Sequence, residues 1–243
     1  TCQNVVVVGG QTTTCTITNT KLGSITVEKA MVGGTGTFNF TGSITGSISS
    51  NNGQISTANL LPGTYLVTES ASIGWDLTNI SCNDTTNGGT PSTWDVNTRT
   101  ATFKLDAGEN IKCTFTNGKL PSLTVNKVVT NDNGGTKVVS NFTLKVGANT
   151  VTSGVPSVLN IGPYVVSEVL DNNYVATITG DCNSNGNVTL GYGDNKTCTI
   201  TNDDVAPGLH LRKVVTNDNG GTALATAWTL TAAGPTPLSG STP

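Results

Sequence analysis

The sequence predicts an all-β protein of tandem antiparallel β-sandwich domains set in a rod. Three observations carry that reading: a composition poor in helix formers, a recurrence of strand-like motifs, and short alternating runs broken by turn residues. Of 243 residues, 44 are Thr, 27 Asn and 29 Gly, whereas Glu occurs four times and Met once. Thr suits the pleated, half-buried surface of a strand, and Asn and Gly supply turns. Helix is therefore expected to be almost absent.

Repeats set the organisation. Thr14-Cys15-Thr16-Ile17-Thr18-Asn19 recurs as Lys112-Cys113-Thr114-Phe115-Thr116-Asn117 and as Thr197-Cys198-Thr199-Ile200-Thr201-Asn202. A second motif follows each of these endings within a few residues: Ser24-Ile25-Thr26-Val27-Glu28-Lys29, Ser122-Leu123-Thr124-Val125-Asn126-Lys127, and Gly208-Leu209-His210-Leu211-Arg212-Lys213. A third occurs twice, as Gly63-Thr64-Tyr65-Leu66-Val67-Thr68-Glu69 and Gly162-Pro163-Tyr164-Val165-Val166-Ser167-Glu168. Self-similarity of this kind marks tandem domains. It divides the chain into the C-terminal part of one repeat (1–21), two complete sandwiches (22–119 and 120–205), and the N-terminal part of a further repeat (206–243). Thr1 follows no initiator Met, basic stretch or cleavage signal, so the chain reads as processed or cropped. The connections at Gly118–Pro121 and Asp203–Pro207 are short, which keeps neighbouring domains close.

Within the domains, Asn131-Asp132-Asn133-Gly134-Gly135-Thr136, repeated as Asn217–Thr222, reads as a hairpin turn. The alternative, a calcium loop, lacks the alternating oxygen ligands and terminal Glu of an EF-hand. Asp203 and Asp204 read as solvated linker charges. Leu61-Pro62-Gly63-Thr64-Tyr65 reads as a turn entering a strand. Trp75, Trp94 and Trp228 are expected in core or interdomain packing.

The six cysteines fall in pairs within repeats: Cys2 with Cys15, Cys82 with Cys113, and Cys182 with Cys198. Zinc ribbons need Cys-x-x-Cys pairs, and none is present. Disulfides are expected, each of the last two joining the strand after the Glu strand to the final strand. They point to an oxidising compartment, extracellular or at the cell surface.

Residues two apart on a strand share a face. Lys29 therefore continues the row of Ile25 and Val27, Lys127 that of Leu123 and Val125, and Lys213 that of Leu209 and Leu211. By the same parity Glu69 joins Tyr65 and Val67, and Glu168 joins Tyr164 and Val166. On the final strands Asn117 joins Cys113 and Phe115, and Asn202 joins Cys198 and Ile200. Each complete domain thus aims one Lys, one Glu and one Asn at its core. Desolvation lowers a Lys pKa and raises that of a Glu. A neutral amine is a nucleophile, and a carboxylic acid beside an amide carbonyl polarises it. Lys can then attack the Asn side chain and expel ammonia, leaving an isopeptide bond.

These three strand motifs together resemble the prealbumin-like, collagen-adhesin B-type domains of Gram-positive pilus shafts and bacterial adhesin stalks. The resemblance covers both complete domains and, by pattern, both end segments. It implies an Ig-like, prealbumin-like sandwich carrying an intramolecular Lys-Asn bond assisted by an acidic residue. The roles carry over to Lys29, Asn117 and Glu69, and to Lys127, Asn202 and Glu168. Asn19 and Lys213 become partners only if a cropped repeat or another subunit completes them. The paired cysteines depart from pilus versions that rely on the isopeptide alone. They leave open a noncovalent reading in which Lys and Glu form a salt bridge and Asn caps a turn.

Functional classes narrow accordingly. With 12 Lys+Arg against 15 Asp+Glu, the net charge of -3 gives no footprint for nucleic acid. No stretch approaches the ~18 apolar residues of a membrane span. His210 is the one histidine, so no Ser-His-Asp or His-rich metal centre can be built around several candidates, and neither an enzyme, a metal nor a cofactor is expected. Asn-x-Ser/Thr sequons begin at Asn39, Asn79, Asn83, Asn141, Asn187 and Asn195, as chance allows in a chain so rich in Asn and Thr. The expected role is the structural subunit or shaft of an extracellular, pilus-like filament. Its partners are other copies of itself, head to tail, or further repeats of the same chain. The alternative is a ligand-binding surface adhesin with these domains as its stalk.

Overall fold

The computed structural model describes residues 2–84, 89–234 and 238–241. Nine strands build the first sandwich: β1 (Gly23–Val32), β2 (Phe38–Gly42), β3 (Gly46–Ile48), β4 (Gly53–Leu60), β5 (Gly63–Glu69), β6 (Trp75–Asn83), β7 (Thr93–Asp95), β8 (Thr100–Leu105) and β9 (Asn110–Lys119). They form two facing sheets, ordered β4-β1-β9-β6 and β3-β2-β5-β8-β7. Eight more build the second: β10 (Ser122–Thr130), β11 (Leu144–Val146), β12 (Asn149–Val151), β13 (Ser157–Val158), β14 (Gly162–Glu168), β15 (Tyr174–Gly180), β16 (Asn187–Leu190) and β17 (Asn195–Asp204). Their sheets are ordered β13-β10-β17-β15 and β12-β11-β14-β16.

Alternation creates the cores. On β1 the buried positions are Gly23, Ile25, Val27, Lys29 and Met31, with Thr26 and Glu28 turned toward the outside. On β9 they include Ile111, Cys113, Phe115 and Asn117. Phe38, Phe40, Phe103 and Phe115 fill the first core, Phe40 meeting Phe115 edge-on at 5.3 Å. The second core is smaller and mostly aliphatic, with Leu123, Val125, Leu144, Val166, Leu190 and Ile200.

One pairing departs from the antiparallel expectation. The first and last strands of each sandwich lie side by side in parallel register, Lys29 opposite Phe115 and Lys127 opposite Ile200. Between them the chain crosses to the other sheet and back, so both strands enter the central positions from the same end.

This pairing also accounts for the end segments. Residues 2–21 contain no strand, and neither do residues 206–224. The motifs at Thr14–Asn19 and Gly208–Lys213 therefore do not form the strands expected of them. In both sandwiches each such motif is held by the other, and an isolated strand has no ladder partner. A short 3-10 turn at Ala225–Ala227 and a hairpin, β18 (Thr229–Ala232) with β19 (Leu238–Ser241), follow.

The disulfides join Cys2 to Cys15, Cys82 to Cys113 and Cys182 to Cys198. Cys82 faces Cys113 directly across β6 and β9, with Cα atoms 4.0 Å apart. Cys182 lies two residues beyond β15 rather than on it, because the strand ends at Gly180, whose φ of 91° turns the chain. In the chain-entropy account, closures of 31 and 16 residues stabilise by about 4 and about 3 kcal/mol.

Two loop expectations are corrected. Residues 131–136 are not a hairpin turn but the crossing from β10 to the opposite sheet, and they wrap around Asp204. Asp204 is no solvated linker charge: it is 6% exposed and accepts the backbone N–H groups of Asp132, Asn133 and Gly135. Asn131 Nδ2 closes the loop on Lys137 O at 2.9 Å, and Asn217 repeats that bond to Ala223 O at 2.9 Å. Burial alone would raise the Asp204 pKa, but the three N–H donors outweigh it and hold the carboxyl below its usual range. The stabilisation is therefore present above the unfolded carboxyl pKa and disappears as pH falls through the folded one. Asp204→Asn should lower the thermal midpoint at neutral pH, and the gap to wild type should close below about pH 4. An equal gap at every pH would assign the effect to packing.

The tryptophans divide. Trp75 packs edge-on against Phe38 at 5.1 Å, whereas Trp94 on the edge strand β7 is 45% exposed and Trp228 is 38% exposed. At the junction between sandwiches, Gly193 N donates to Lys119 O at 2.7 Å. The Tyr192 ring lies against Gly118, where a side chain would overlap it.

Candidate functional site

The parity argument places three polar side chains inside each sandwich, and the fold brings them together. In the first, Lys29 from β1 and Asn117 from β9 lie on one sheet, and Glu69 arrives from β5 of the facing sheet. All three are at most 1% exposed. Lys29 Nζ donates to Asn117 Oδ1 at 2.6 Å and to Phe115 O at 2.9 Å, and lies 3.1 Å from Glu69 Oε2. Asn117 Nδ2 donates to Glu69 Oε1 at 2.8 Å. One carboxylate therefore touches the amine through one oxygen and the amide nitrogen through the other. The Phe38 ring closes the pocket 4.2 Å from Nζ.

Burial pushes the Lys29 amine down to about 8, with Glu69 opposing the shift and Arg99 adding to it. At pH 7 roughly a tenth of such an amine is neutral, against less than ~0.1% of an ordinary lysine. A buried ion pair is weak grounds for stability, since desolvation offsets most of the Coulomb gain. An amine of lowered proton affinity held against an amide carbonyl is, however, the arrangement that amide exchange requires.

Arg99 was not legible as a site residue. It stands in the turn between β7 and β8 with φ at 57°, a conformation uncommon for a side chain of its size. Its Nη2 contacts Glu69 Oε1, its Nε donates to Glu69 O at 3.1 Å, and its own carbonyl accepts from Glu69 N at 2.9 Å. The one available signal was its rarity, since the chain has two arginines.

The second sandwich repeats the Lys–Glu pair and buries Asn202, but among the described residues no hydrogen bond joins Asn202 to either. Lys127 Nζ lies 2.8 Å from Glu168 Oε2 and 4.5 Å from the Phe142 ring centre. Asn202 is 1% exposed, and its Oδ1 finds no hydrogen-bond partner. Burial lowers the Lys127 pKa, with Glu168 opposing. Among the described residues no arginine pairs with Glu168. In the end segments, Asn19 is exposed, and Lys213 lies over the Trp228 ring at 4.9 Å, with no hydrogen bond or ion pair to Glu or Asn among the described residues. Among the described residues, the carboxylates that gather are Asp132, Asp203 and Asp204, and Asp204 is already committed to backbone donors.

Comparison with known proteins adds the family. A profile described as a prealbumin-like fold domain matches residues 25–119, and a second of the same description matches 119–200 and 204–243. No curated protein matches. Among solved structures, the Bacillus anthracis TIE protein is 17% identical with a TM-score of 0.31, over 76% of this chain and 34% of that one. The major pilin of Streptococcus pyogenes is 14% identical with a TM-score of 0.27, over 77% of this chain and 99% of that one. The pilus adhesin SpaC of Lactobacillus rhamnosus GG is 17% identical with a TM-score of 0.28, over 77% and 32%. The chain thus spans about a third of the Bacillus and Lactobacillus proteins. With two profiles of one description covering nearly all of it, the chain belongs to the family of prealbumin-like fold domains.

Proposed function

We propose that this protein is a structural subunit or shaft of an extracellular, pilus-like filament, with each complete sandwich locked by a Lys-Asn isopeptide bond. The observation that carries the reading is the contact of Lys29 Nζ with the Asn117 amide under Glu69. In the proposed step, Lys29 passes a proton to Glu69 Oε2 and its free amine attacks Asn117 Cγ. Glu69 Oε1 returns the proton to Nδ2, the Cγ–Nδ2 bond breaks, and ammonia leaves and takes up the second proton of the amine. The carboxylate ends as it began, so the reaction runs once per domain without turnover. Lys127, Asn202 and Glu168 take the same roles in the second sandwich.

Three disulfides, two of them within the sandwiches, fit an oxidising, extracellular setting. The relatives described as pilin and pilus adhesin suggest a cell-surface assembly. Its proposed partners are copies of the same chain, head to tail, or further repeats. The parallel ladder of first and last strands is the pairing that Thr14–Asn19 and Gly208–Lys213 would use.

Intact mass followed by unreduced peptide mapping tests the bonds. The expected result is a loss of two ammonia molecules beyond the protons lost to disulfides. Branched peptides should join the Lys29 segment to Asn117 and the Lys127 segment to Asn202. Recovery of both lysines as free, linear peptides would reject the cross-links while leaving the family intact.

A further inference from the structure

We propose that Arg99 is a positioning residue for the Lys29–Asn117 reaction, holding Glu69 so that its two oxygens address the amine and the leaving nitrogen separately. This rests on the reading of that triad as a bond-forming site.

Arg99 grips both the backbone and the side chain of Glu69, through Nε to the carbonyl and Nη2 to Oε1. A return bond from Glu69 N to Arg99 O completes the contact. The side chain of Glu69 then has no free rotation: Oε1 is fixed by Arg99 and Asn117, which leaves Oε2 facing Lys29. The turn that delivers Arg99 is itself braced. Arg99 N donates to Val96 O at 3.2 Å, and Asp95 Oδ1 accepts from Asn97 N at 2.8 Å, and the φ of 57° is tolerated within that frame.

The second sandwich is an internal comparison. Its Glu168 meets Lys127 through Oε2, and among the described residues no arginine pairs with it and the Asn202 amide oxygen has no hydrogen-bond partner. The same three residue types thus make fewer mutual contacts where no arginine holds the carboxylate. A misplacement of about 1 Å in a reacting group costs up to ~100-fold in rate. Fixing the carboxylate is therefore a role of the size that catalysis feels.

Arg99 also acts by its charge. A second cation beside the pocket disfavours protonated Lys29, so removing it raises the proton affinity of the amine and moves bond formation to higher pH. The charged groups facing Lys29 are Glu69 from β5 and Arg99 from the β7–β8 turn. Glu28 and Lys112 pair on the outer face of β1 and β9, β2 and β4 carry no charged residue, Asp76 of β6 is exposed, and Lys104 of β8 donates to Thr64 Oγ1 at 3.0 Å on the outer face.

The test uses the full chain, recovered unfolded from inclusion bodies and diluted into oxidising buffers across a pH series around 8, the Lys29 value. Unreduced digests taken over time give the fraction of each branched peptide. For Arg99→Gln, the Lys29–Asn117 bond should form about 10- to 100-fold more slowly, with its pH midpoint displaced upward. Lys127–Asn202 and Cys82–Cys113 should form at the wild-type rate. Arg99→Lys keeps the charge but not the planar fork, so it should restore the pH midpoint and only part of the rate. The proposal is overturned if Arg99→Gln forms the bond at the wild-type rate, or if Arg99→Lys restores the rate completely. Should Arg99→Gln lose Cys82–Cys113 through misfolding, Arg99→Lys alone decides by the same criterion. Absence of the Lys29–Asn117 bond from the wild type is a distinct outcome, which rejects the bond-forming site itself.

Discussion

Glu69→Ala should leave Lys29 and Asn117 unbonded and should destabilise the first sandwich more than any other single substitution at the two sites. Among the described residues the carboxylate is the one acceptor that contacts both the amine and the amide nitrogen, so without it the proton has no path from one to the other. Its loss also leaves two cations, the buried Lys29 and the partly exposed Arg99, without the carboxylate that lies between them. Removing one partner of a buried pair costs about 3–5 kcal/mol, and the loss of the covalent bond adds to it. Glu168→Ala strands only Lys127 and should cost less. Glu69→Gln separates the contributions, because it keeps volume and hydrogen-bonding atoms but cannot shuttle the proton. It should abolish the bond with a smaller loss of denaturant midpoint. Intact mass reads the chemistry and equilibrium unfolding reads the stability. A Glu69→Ala chain that still released ammonia at Asn117 would assign the proton transfer elsewhere.

The unequal cost of these substitutions marks where sequence reasoning reached and where it stopped. The strand faces were legible because parity is local: Lys29 sits two residues from Val27, and that spacing alone aims it inward. The disulfide pairs were legible because one cysteine of each pair recurs at the same place in a repeated motif. Arg99 was not, since its partner lies 30 residues away on another strand and its direction depends on a left-handed backbone in a turn. Asp204 was misread for the same reason. Next to a linker an aspartate looks solvated, and only the folded crossing loop, some 70 residues upstream, brings donors to it. The motifs at the two ends show the converse limit. Their pattern is that of strands, yet a strand exists only in a ladder, and in this topology the ladder joins the first motif of a domain to its last.

That same ladder governs the response to force. Tension along the chain enters the first sandwich at Gly23 and leaves at Lys119, pulling the parallel strands β1 and β9 in shear. With Lys29 bonded to Asn117, load runs along six residues of β1, crosses the isopeptide and leaves along the last two of β9. Everything between is bypassed, and nothing can lengthen until a covalent bond breaks. Lys29→Met removes the bond but keeps Glu69 paired with Arg99, so the fold should survive while its load path changes. Of the 96 steps from 23 to 119, Cys82–Cys113 withholds 31, leaving 65, or about 220 Å of extended chain at ~3.4 Å per residue; the folded strands already span about 30 Å of it, so the step is about 190 Å. In the second sandwich Lys127→Met should give nearly the same step: 82 steps from 122 to 204, less the 16 held by Cys182–Cys198, leave 66, or about 220 Å of extended chain, and again about 190 Å once the folded span is subtracted. Single-molecule stretching of the wild type should then show no step of this size from either sandwich, each single variant one step, and the double variant two. Reduction before pulling should lengthen the first step by about 105 Å and the second by about 55 Å at the same rise per residue, which identifies the sandwich that opened. A wild type that extends in steps of about 190 Å would mean that the Lys-Asn pairs carry load only as hydrogen bonds and ion pairs.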